Sequence, residues 1–560
     1  MTFSPTAQSN RTTPPGGSYK RVRAPRGTAL ICRGWQQEAA LRMLMNSLDD
    51  EVAKHPEDLV VYGSDAKPVA DWDGYHAILR SLRSLKDDET LLIQSGKPAG
   101  VVKTDAEAPR ILIVNSDVVS PLSEGNKLPE SEELGLVLFG QDAARSWTYI
   151  GSQQALHTAF ETFAAVGKAH FGGDLSGRLI VSGGMGVAGG VQPLAATLLG
   201  AAFLGIDADS EKITRRIRAG YCDFCVSSLD EALRILKNAV RQRQPVSVGL
   251  AGNCAEIIPE LSSRGVVPDI LSDLTGVCDL LNGYFPAGLT LKEAGALRRA
   301  NPEDYLQRAC QSLARHAGGM LELQKLGAVT FDFGNNLRRI AAERAGVQDI
   351  VSLPGFVSTY LRPEFSEGRA PLRWVALSGE RRNIQHADNL LLELFPDDEM
   401  LARWIRLARK YVTFQGLPGR VAWLSSEQGA RFAERLNALV AKGELIAPVV
   451  IARDQVDCGL GVSPFLDSQG MKDVSDLVIN HRALDSLLSV ASGASWVSLH
   501  GVRTNGSDYF CRTTQAAIAD GTPESGRRLQ RILKSGSSFR LIRRAGSDNE
   551  RAQDLAGPTP

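Results

Sequence analysis

The stretch that decides the fold is residues 177–200, GRLIVSGGMGVAGGVQPLAATLLG. An apolar run at Leu179–Val181 leads into closely spaced glycines, and small and apolar residues follow. Gly184, Gly186 and Gly189 have the spacing GxGxxG. Such glycines permit positive φ and let backbone N–H groups approach a pyrophosphate, while the following helix N-terminus favours negative charge. The stretch therefore predicts a strand, a phosphate-binding turn and a helix.

An acidic residue stands where a dinucleotide-binding strand would end. Asp207 closes the segment GAAFLGID, 21 residues after Gly186. An acid there binds the ribose hydroxyls of NAD and repels the 2′-phosphate of NADP, although Lys212, Arg215 and Arg216 nearby weaken that preference. The alternative is a glycine-rich turn without a cofactor. Local motifs alone thus favour an NAD enzyme, with a hydride-transfer dehydrogenase as the default, but no proton relay of that class is recognisable.

Residues 141–357 alternate between strand-like and helical patterns. RLIVSGG, VSVGLAGN, DILSDLTG and AVTFDFGNN read as strands, and QPLAATLLGAAFLG, SLDEALRILKNAVRQ and AEIIPELSSRG read as helices. Strands separated by helices of this length form parallel sheets covered on both faces. We therefore predict an α/β fold with a Rossmann-like NAD-binding domain over 141–357.

The flanking parts of the chain, residues 21–140 and 358–544, also mix strands and helices. LVVYG, LLIQSG and ILIVNSD precede the central domain as strands, while APVVIARD and SWVSLHGVRTNG follow it. We predict that the two parts form one larger mixed α/β core domain into which the Rossmann-like domain is inserted. The polar ends, 1–20 and 545–560, are predicted to be disordered.

Composition excludes several functional classes. The 560 residues carry 63 basic and 63 acidic side chains, which argues against a nucleic-acid partner. No apolar run reaches the roughly 18 residues that span a bilayer, and the N-terminus lacks a signal-peptide core, so we expect a cytoplasmic protein without a membrane partner. Cys222 and Cys225 form a CxxC without a second pair at zinc spacing, so we expect no metal site.

Beyond these local signals, the chain resembles the urocanase (urocanate hydratase) family over nearly its whole length. The resemblance is carried by long, ordered segments: RAPRGTALICRGWQQEAALRMLMNSLDDEVAKHPEDLVVYG, LLIQSGKPAGVVKT, APRILIVNS, SWTYIGSQ, GGVQPLAATLLG, GNCAEIIPEL, LNGYFPAG, FDFGNNLR, PGFVSTYLRPEF, LRWVALSGE, FQGLPGR, APVVIARD and SGASWVSLHG. Together they cover both flanking parts and the central domain.

The resemblance implies a homodimer that binds NAD⁺ tightly and uses it without net redox chemistry. In that family the imidazole ring of urocanate attacks the nicotinamide, and the resulting adduct makes the ring susceptible to water. Protonation of the side chain completes a net hydration, and an imidazolone-propionate is released. The enzyme is thus expected to be a hydro-lyase acting on a small imidazole-acrylate.

Site residues follow from the resemblance position by position. Tyr62 and Arg362 are expected to hold the substrate carboxylate, since a guanidinium pairs bidentately with a carboxylate. Asp457 is the first candidate for the general acid and Asp454 the second; either could instead cap a loop or pair with Arg453. With the glycine fingerprint included, the expected cofactor contacts are Gly63, Ser64, Gln141, Gly186, Val187, Ala188, Gly189, Asp207, Lys212, Asn253, Cys254, Leu274, Thr275, Cys278, Tyr284, Phe285, Phe333 and Thr504.

The chain departs from the family pattern at several of its functional segments. A family Cys after FQGLP is replaced by Ala422, a His before LNGY by Cys278, and a Tyr in FDYGNN by Phe333. Asp105 and Gln455 each stand where the family has a His, and Ser64 stands in place of the second glycine of a pair. Residues 501–508 replace a run of glycines.

Three functions remain compatible with these departures. The first is hydration of a modified urocanate, such as a thio-, S-methylthio- or N-methyl-urocanate, because losing ring-contacting polar groups suits a bulkier or less polar ring. The second is ordinary urocanate hydration in histidine degradation. The third is a non-catalytic NAD-binding paralogue. The first is favoured, and the third is the least favoured, because decay of the site would be expected to alter Arg362, Asn253 and the glycine loop, which are all retained.

Overall fold

The computed structural model describes residues 21–62, 66–115, 142–454, 480–503 and 509–545. The predicted disorder at 1–20 and after residue 545 falls outside this range, and the last described residue, Ala545, ends a helix. None of the described helices is long and apolar enough to cross a membrane.

Fourteen strands are described, and they are numbered here in chain order. They are β1 (Glu89–Gln94), β2 (Lys97–Lys103), β3 (Ile111–Asn115), β4 (Leu179–Gly183), β5 (Ala202–Asp207), β6 (Phe224–Val226), β7 (Val246–Ala251), β8 (Ile270–Asp273), β9 (Val329–Thr330), β10 (Ala370–Ala376), β11 (Gly419–Leu424), β12 (Val449–Asp454), β13 (Trp496–Arg503) and β14 (Tyr509–Ala519).

Helices cover both sheets that these strands form. The described α-helices are Trp35–Ser47, Trp72–Ser84, Asp142–Arg145, Gln153–His170, Gln192–Leu198, Ser210–Arg218, Leu229–Gln242, Cys254–Ser263, Leu291–Ala300, Pro302–Lys325, Leu337–Ala345, Arg362–Ser366, Arg381–Leu394, Glu399–Tyr411, Ser426–Ala441, Asn480–Ala491 and Pro523–Ala545. A π-helical turn, Val357–Leu361, leads directly into the short helix that begins at Arg362.

The first sheet is parallel and has the strand order β6-β7-β5-β4-β8-β9. β4 and β5 are buried along their whole lengths, as expected for strands covered on both faces. The order reverses at β4, with β5 on one side and β8 on the other. Ligands of such sheets bind at this reversal, beyond the carboxyl ends of the strands. The predicted Rossmann-like parallel sheet is confirmed.

One predicted helix within this sheet was too long. The pattern predicted a helix through QPLAATLLGAAFLG, whereas the helix ends at Leu198 and the following residues form β5. Gly200 has a φ of +93°, which ends the helical path. A fully buried strand has the same continuous apolar run as a buried helix, so periodicity could not separate them. The short edge strand β6, which contains Cys225, was not predicted.

The second sheet has eight strands in the order β11-β10-β12-β14-β13-β3-β1-β2. Its members come from both sides of the parallel sheet in the sequence. β3 pairs in parallel with β13, with Ile111 beside Trp496, and this pairing joins the two flanking parts. The other pairs are antiparallel except β1 with β3. The predicted mixed α/β layer surrounding a Rossmann-like insertion is confirmed.

The segment LVVYG is not the strand that its apolar run predicted. Val60 forms only a bridge with His55, and Tyr62 forms only a bridge with Ala66. Leu59 has a positive φ of 61°, which interrupts an extended path. Burial therefore explains this apolar run without a sheet. The structure adds the exposed edge strand β2, which was not predicted.

Candidate functional site

The glycine loop turns tightly at the carboxyl end of β4. Gly184 has a φ of +83°, and its N–H donates to the Ile206 carbonyl at 2.7 Å. A Cβ on Gly184 would lie 2.3 Å from the Leu274 carbonyl oxygen. A Cβ on Gly189 would lie 2.0 Å from the Gly184 carbonyl oxygen. Backbone stands on the near side of both glycines, so no larger residue fits there.

The outer side of the same loop is open. A Cβ on Gly186 would meet nothing within 4 Å, and Ala188 is exposed. The inner side is supported by Arg216, whose Nη2 donates to the Gly186 carbonyl at 3.0 Å and whose Nε donates to the Met185 carbonyl at 3.3 Å. The loop thus presents backbone to an approaching ligand from one side while an arginine holds it from the other.

Asp207 lies beside this loop, at the end of β5, and is buried. Its carboxylate accepts from the Met185 N–H at 2.8 Å and from the Asp209 N–H at 2.9 Å. Lys212 Nζ lies 3.2 and 3.3 Å from the two carboxylate oxygens. Asp207 therefore fixes the glycine loop as well as ending its strand, and Lys212 offsets its charge.

The next strand end carries Asn253. Its Oδ1 accepts from the Ala255 N–H at 2.9 Å and caps the helix Cys254–Ser263. Its Nδ2 donates to the Phe285 carbonyl at 2.9 Å. Asn253 thereby brings the loop that contains Tyr284 and Phe285 to the carboxyl edge of the sheet.

Asp273 organises the wall that faces the glycine loop. Its Oδ2 accepts from Thr275 N–H at 3.1 Å, from Thr275 Oγ1 at 2.7 Å and from Asn335 Nδ2 at 2.5 Å. Asn335 Nδ2 also donates to the Thr275 carbonyl at 3.0 Å. Burial raises the pKa of Asp273, and these bonds oppose that shift. The sequence reading missed both Asp273 and Asn335; an acid at the last residue of a buried strand was the available signal.

Tyr62 packs against a second tyrosine. Its ring centroid lies 4.5 Å from that of Tyr149. Burial raises the pKa of Tyr149, and the positive charge of Arg216, which also binds the Gly186 carbonyl, opposes that rise. Arg362 is half-buried at the start of the helix Arg362–Ser366.

The substituted positions have different surroundings. Ala422 is fully buried in β11, opposite Leu372 of β10. Phe333 is buried and stacks on Phe356 with ring centroids 4.8 Å apart, and it also contacts Phe163 and Phe331. Cys278, in contrast, is exposed on the loop after β8. Ala422 and Phe333 are therefore both buried, whereas Cys278 is not.

Several predicted site residues lie outside the described residues. These are Gly63, Ser64, Gln141, Asp457 and Thr504, together with Gln455 and the loop 504–508. Asp454 is described: it ends β12, where it is paired with Thr514 of β14.

The carboxyl edge of the parallel sheet therefore has features that are typical of dinucleotide-binding sites. Glycines stand where backbone approaches closely, the outer side of the loop is open, and an acid ends the neighbouring strand. The chain matches the urocanase N-terminal domain over residues 22–148, the urocanase Rossmann-like domain over 151–360 and the urocanase C-terminal domain over 363–557. The chain belongs to the urocanase family. Urocanases are hydro-lyases, so a hydratase acting on a urocanate-like substrate is indicated.

Proposed function

We propose that this urocanase-family protein adds water to an imidazole-acrylate whose ring is modified, with NAD⁺ as its cofactor. Thio-, S-methylthio- and N-methyl-urocanate are the ring classes intended, and the product is the corresponding imidazolone-propionate. The observation that carries the proposal is the packing of Phe333. Where the family has a tyrosine hydroxyl, this chain has the apolar ring of Phe333, packed on Phe356 and Phe163, and so lacks the hydroxyl that could pair with a polar substrate ring.

Ala422 supports the same proposal. It is fully buried and smaller than the family cysteine, so it leaves volume and removes a thiol. A methyl or thioether substituent gains apolar contacts in such a space, and each buried CH₂ contributes about 0.8 kcal/mol. Urocanate, which lacks the substituent, would leave that space unfilled and bind more weakly.

Residues of the glycine loop, with Asp207, Asn253, Thr275 and Tyr284, would hold NAD⁺ at the carboxyl edge of the parallel sheet. When bound there, NAD⁺ supplies an electrophilic nicotinamide carbon that acts as an electron sink. Arg216 and Asp207 keep the loop in the shape that receives the pyrophosphate and ribose. Asp273 holds Thr275 and Asn335 in place behind it.

On the substrate side, Arg362 and Tyr62 would bind the carboxylate and so orient the acrylate chain. Asp457 would donate the proton to the side chain, with Asp454 as the alternative donor. The buried positions around Phe333 and Ala422 would exclude bulk water from the ring.

One assay separates the proposed function from three alternatives. The purified full chain is incubated with urocanate and with its thio-, S-methylthio- and N-methyl derivatives, and the loss of imidazole-acrylate absorbance is followed. We expect the highest kcat/KM for a modified substrate. The highest kcat/KM for urocanate itself would identify an ordinary hydratase. NAD⁺ that copurifies without turnover of any of the four would identify a binding paralogue, and NADH accumulation would indicate a dehydrogenase.

Replacing Arg362 by Ala is expected to raise KM by about 30-fold or more with a smaller change in kcat, because losing one partner of a charge pair costs about 2 kcal/mol or more. The matched control is Arg308→Ala, which removes an exposed arginine paired with Asp304 and should change neither constant. Steady-state kinetics with the preferred substrate provides the measurement. An unchanged KM in the Arg362 variant would remove this residue from the carboxylate site.

Replacing Asp457 by Asn is expected to lower kcat by about 100-fold or more, since a positioned general acid contributes about that much or more. Substrate affinity should change less than kcat. Asp454→Asn is the matched variant, at the end of β12. If Asp454→Asn loses turnover while Asp457→Asn keeps it, the two assignments are exchanged.

We further propose that the protein is a homodimer. We also propose that its domains divide at about residues 141 and 357, in line with the order of the two sheets along the chain. Light scattering of the purified chain at several concentrations measures the oligomeric state. A monomer at all of them would overturn the dimer.

A further inference from the structure

Three side chains of metal-ligating types meet beneath the glycine loop, at the carboxyl edge of the parallel sheet. Cys254 begins the helix Cys254–Ser263, Asp273 ends β8, and His316 lies in the helix Pro302–Lys325. One donor atom from each lies within 4.8 Å of the other two. All three residues are buried, with side chains contributed by separate parts of the sheet and its covering helices.

Two of the three facing atoms lack hydrogen bonds, while the third, Cys254 Sγ, donates to the Ile206 carbonyl at 3.8 Å. Asp273 Oδ1 and His316 Nε2 lie 3.6 Å apart, which is too long for a hydrogen bond, and neither has another hydrogen-bond partner among the described residues. Buried polar atoms are normally paired, because an unpaired one costs about 1–3 kcal/mol. Two such atoms aimed at one point therefore indicate a missing partner.

The opposite atoms of the same side chains are occupied. Asp273 Oδ2 accepts three hydrogen bonds from Thr275 and Asn335. His316 Nδ1 lies 3.3 Å from the Tyr284 hydroxyl. Metal-binding His and carboxylate groups have this division, in which outer partners fix the tautomer and orientation and the inner atom stays free for the ion.

We propose that Cys254 Sγ, Asp273 Oδ1 and His316 Nε2 bind a divalent transition-metal ion of the zinc class. Thiolate, imidazole and carboxylate are the ligands that Zn²⁺ takes in proteins, and a water completes four-coordination. The thiol proton of Cys254 leaves to solvent on binding, and the imidazole stays neutral. One thiolate and one carboxylate then balance the two positive charges, so the filled site is neutral in the protein interior.

Gly183 leaves room for the ion. A Cβ on Gly183 would lie 2.3 Å from Asp273 Oδ1 and 2.9 Å from Cys254 Sγ, inside the space between the ligands. Cys254 also stands at a helix N-terminus, which favours the thiolate. Burial raises the pKa of the Cys254 thiol when no cation is near, so an ion is what would stabilise its deprotonated form. The ion would tie the ends of β7 and β8 to the helix Pro302–Lys325.

The test is metal content and cobalt spectroscopy of the full chain. Elemental analysis of protein purified without chelator should give about one zinc-class ion per chain. Co²⁺ added to chelator-treated protein should give a thiolate-to-cobalt charge-transfer band and visible d–d bands typical of tetrahedral coordination. The control Cys310→Ala removes a half-buried thiol on the same helix as His316 and should keep all signals.

Cys254→Ala should lose the charge-transfer band, and His316→Gln should weaken Co²⁺ affinity by about tenfold or more. A wild-type chain with neither bound metal nor Co²⁺ absorption would overturn the proposal. A charge-transfer band that persists in Cys254→Ala would also overturn it. Because these signals need no substrate, they are independent of whether the protein proves to be a hydratase.

Discussion

Gly189→Ala is expected to abolish cofactor retention and to destabilise the NAD-free protein. The new Cβ would lie 2.0 Å from the Gly184 carbonyl oxygen, and this backbone cannot move aside cheaply. Overpacking of this kind costs about 1–3 kcal/mol or more. The shifted Gly184 would also disturb its hydrogen bond to Ile206. NAD content after purification and the thermal midpoint of NAD-free protein are the measurements.

Gly186→Ala is the matched variant in the same loop. A Cβ there meets nothing within 4 Å, so the thermal midpoint of NAD-free protein should be unchanged. Its Cβ does point to the open side where we propose the pyrophosphate, so NAD⁺ affinity should fall without a loss of stability. If Gly189→Ala copurifies with a full complement of NAD⁺ at an unchanged midpoint, the proposed role of the loop is wrong.

Asp388→Ala is expected to destabilise the chain by about 3–5 kcal/mol, because it leaves a buried arginine without its counter-charge. Asp388 and Arg420 are both fully buried, and they form two bonds, at 2.8 and 3.1 Å. Burial raises the pKa of Asp388 against the effect of the Arg420 charge. Burying both charges therefore costs free energy, but removing only one of them costs more, because the other charge is left buried without a partner.

This pair also connects the mixed sheet to a helix that packs against it. Arg420 lies in β11 of the mixed sheet, and its Nη1 lies 3.4 Å from Gln153 Oε1, at the start of the helix Gln153–His170. Glu343→Ala, which breaks an exposed i,i+4 pair with Arg339, is the control and should shift stability by less than about 1 kcal/mol. Replacing both Asp388 and Arg420 by apolar residues should recover most of the lost stability. Denaturation monitored by circular dichroism measures all three variants, and equal midpoints for Asp388→Ala and Glu343→Ala would contradict the expectation.

Local sequence patterns predicted those strands and helices whose spacing of apolar residues fits only one type of secondary structure. The strands β4, β7 and β8 were predicted from apolar runs that end in turn residues, and the helix Leu229–Gln242 from its Ser228 cap. These patterns gave a wrong prediction where the apolar run reflects burial without a strand, as in LVVYG. The edge strand β2 could have been found from the Ser95–Gly96 turn, in which both residues have positive φ as in a tight hairpin.

In the candidate site, too, some residues could be predicted from the sequence and others could not. The glycine spacing and Asp207 were readable because their separation along the chain is fixed by one strand-turn-helix-strand unit. Other site residues are far apart in the sequence, and no local pattern connects them: Asp273, His316 and Asn335. Their meeting depends on the helix Pro302–Lys325 packing against the helix Cys254–Ser263, which is a tertiary event.

The sequence by itself determined the Rossmann-like parallel sheet, the glycine loop with Asp207 and the membership in the urocanase family, because each is written in contiguous residues. Only the tertiary structure decided that β3 pairs with β13 across most of the chain, that Asp207 holds Met185, and that Cys254, Asp273 and His316 face one point. Strand pairing and side-chain convergence are set by long-range packing, since hydrogen-bonding edges and buried polar atoms find partners only once the layers are assembled.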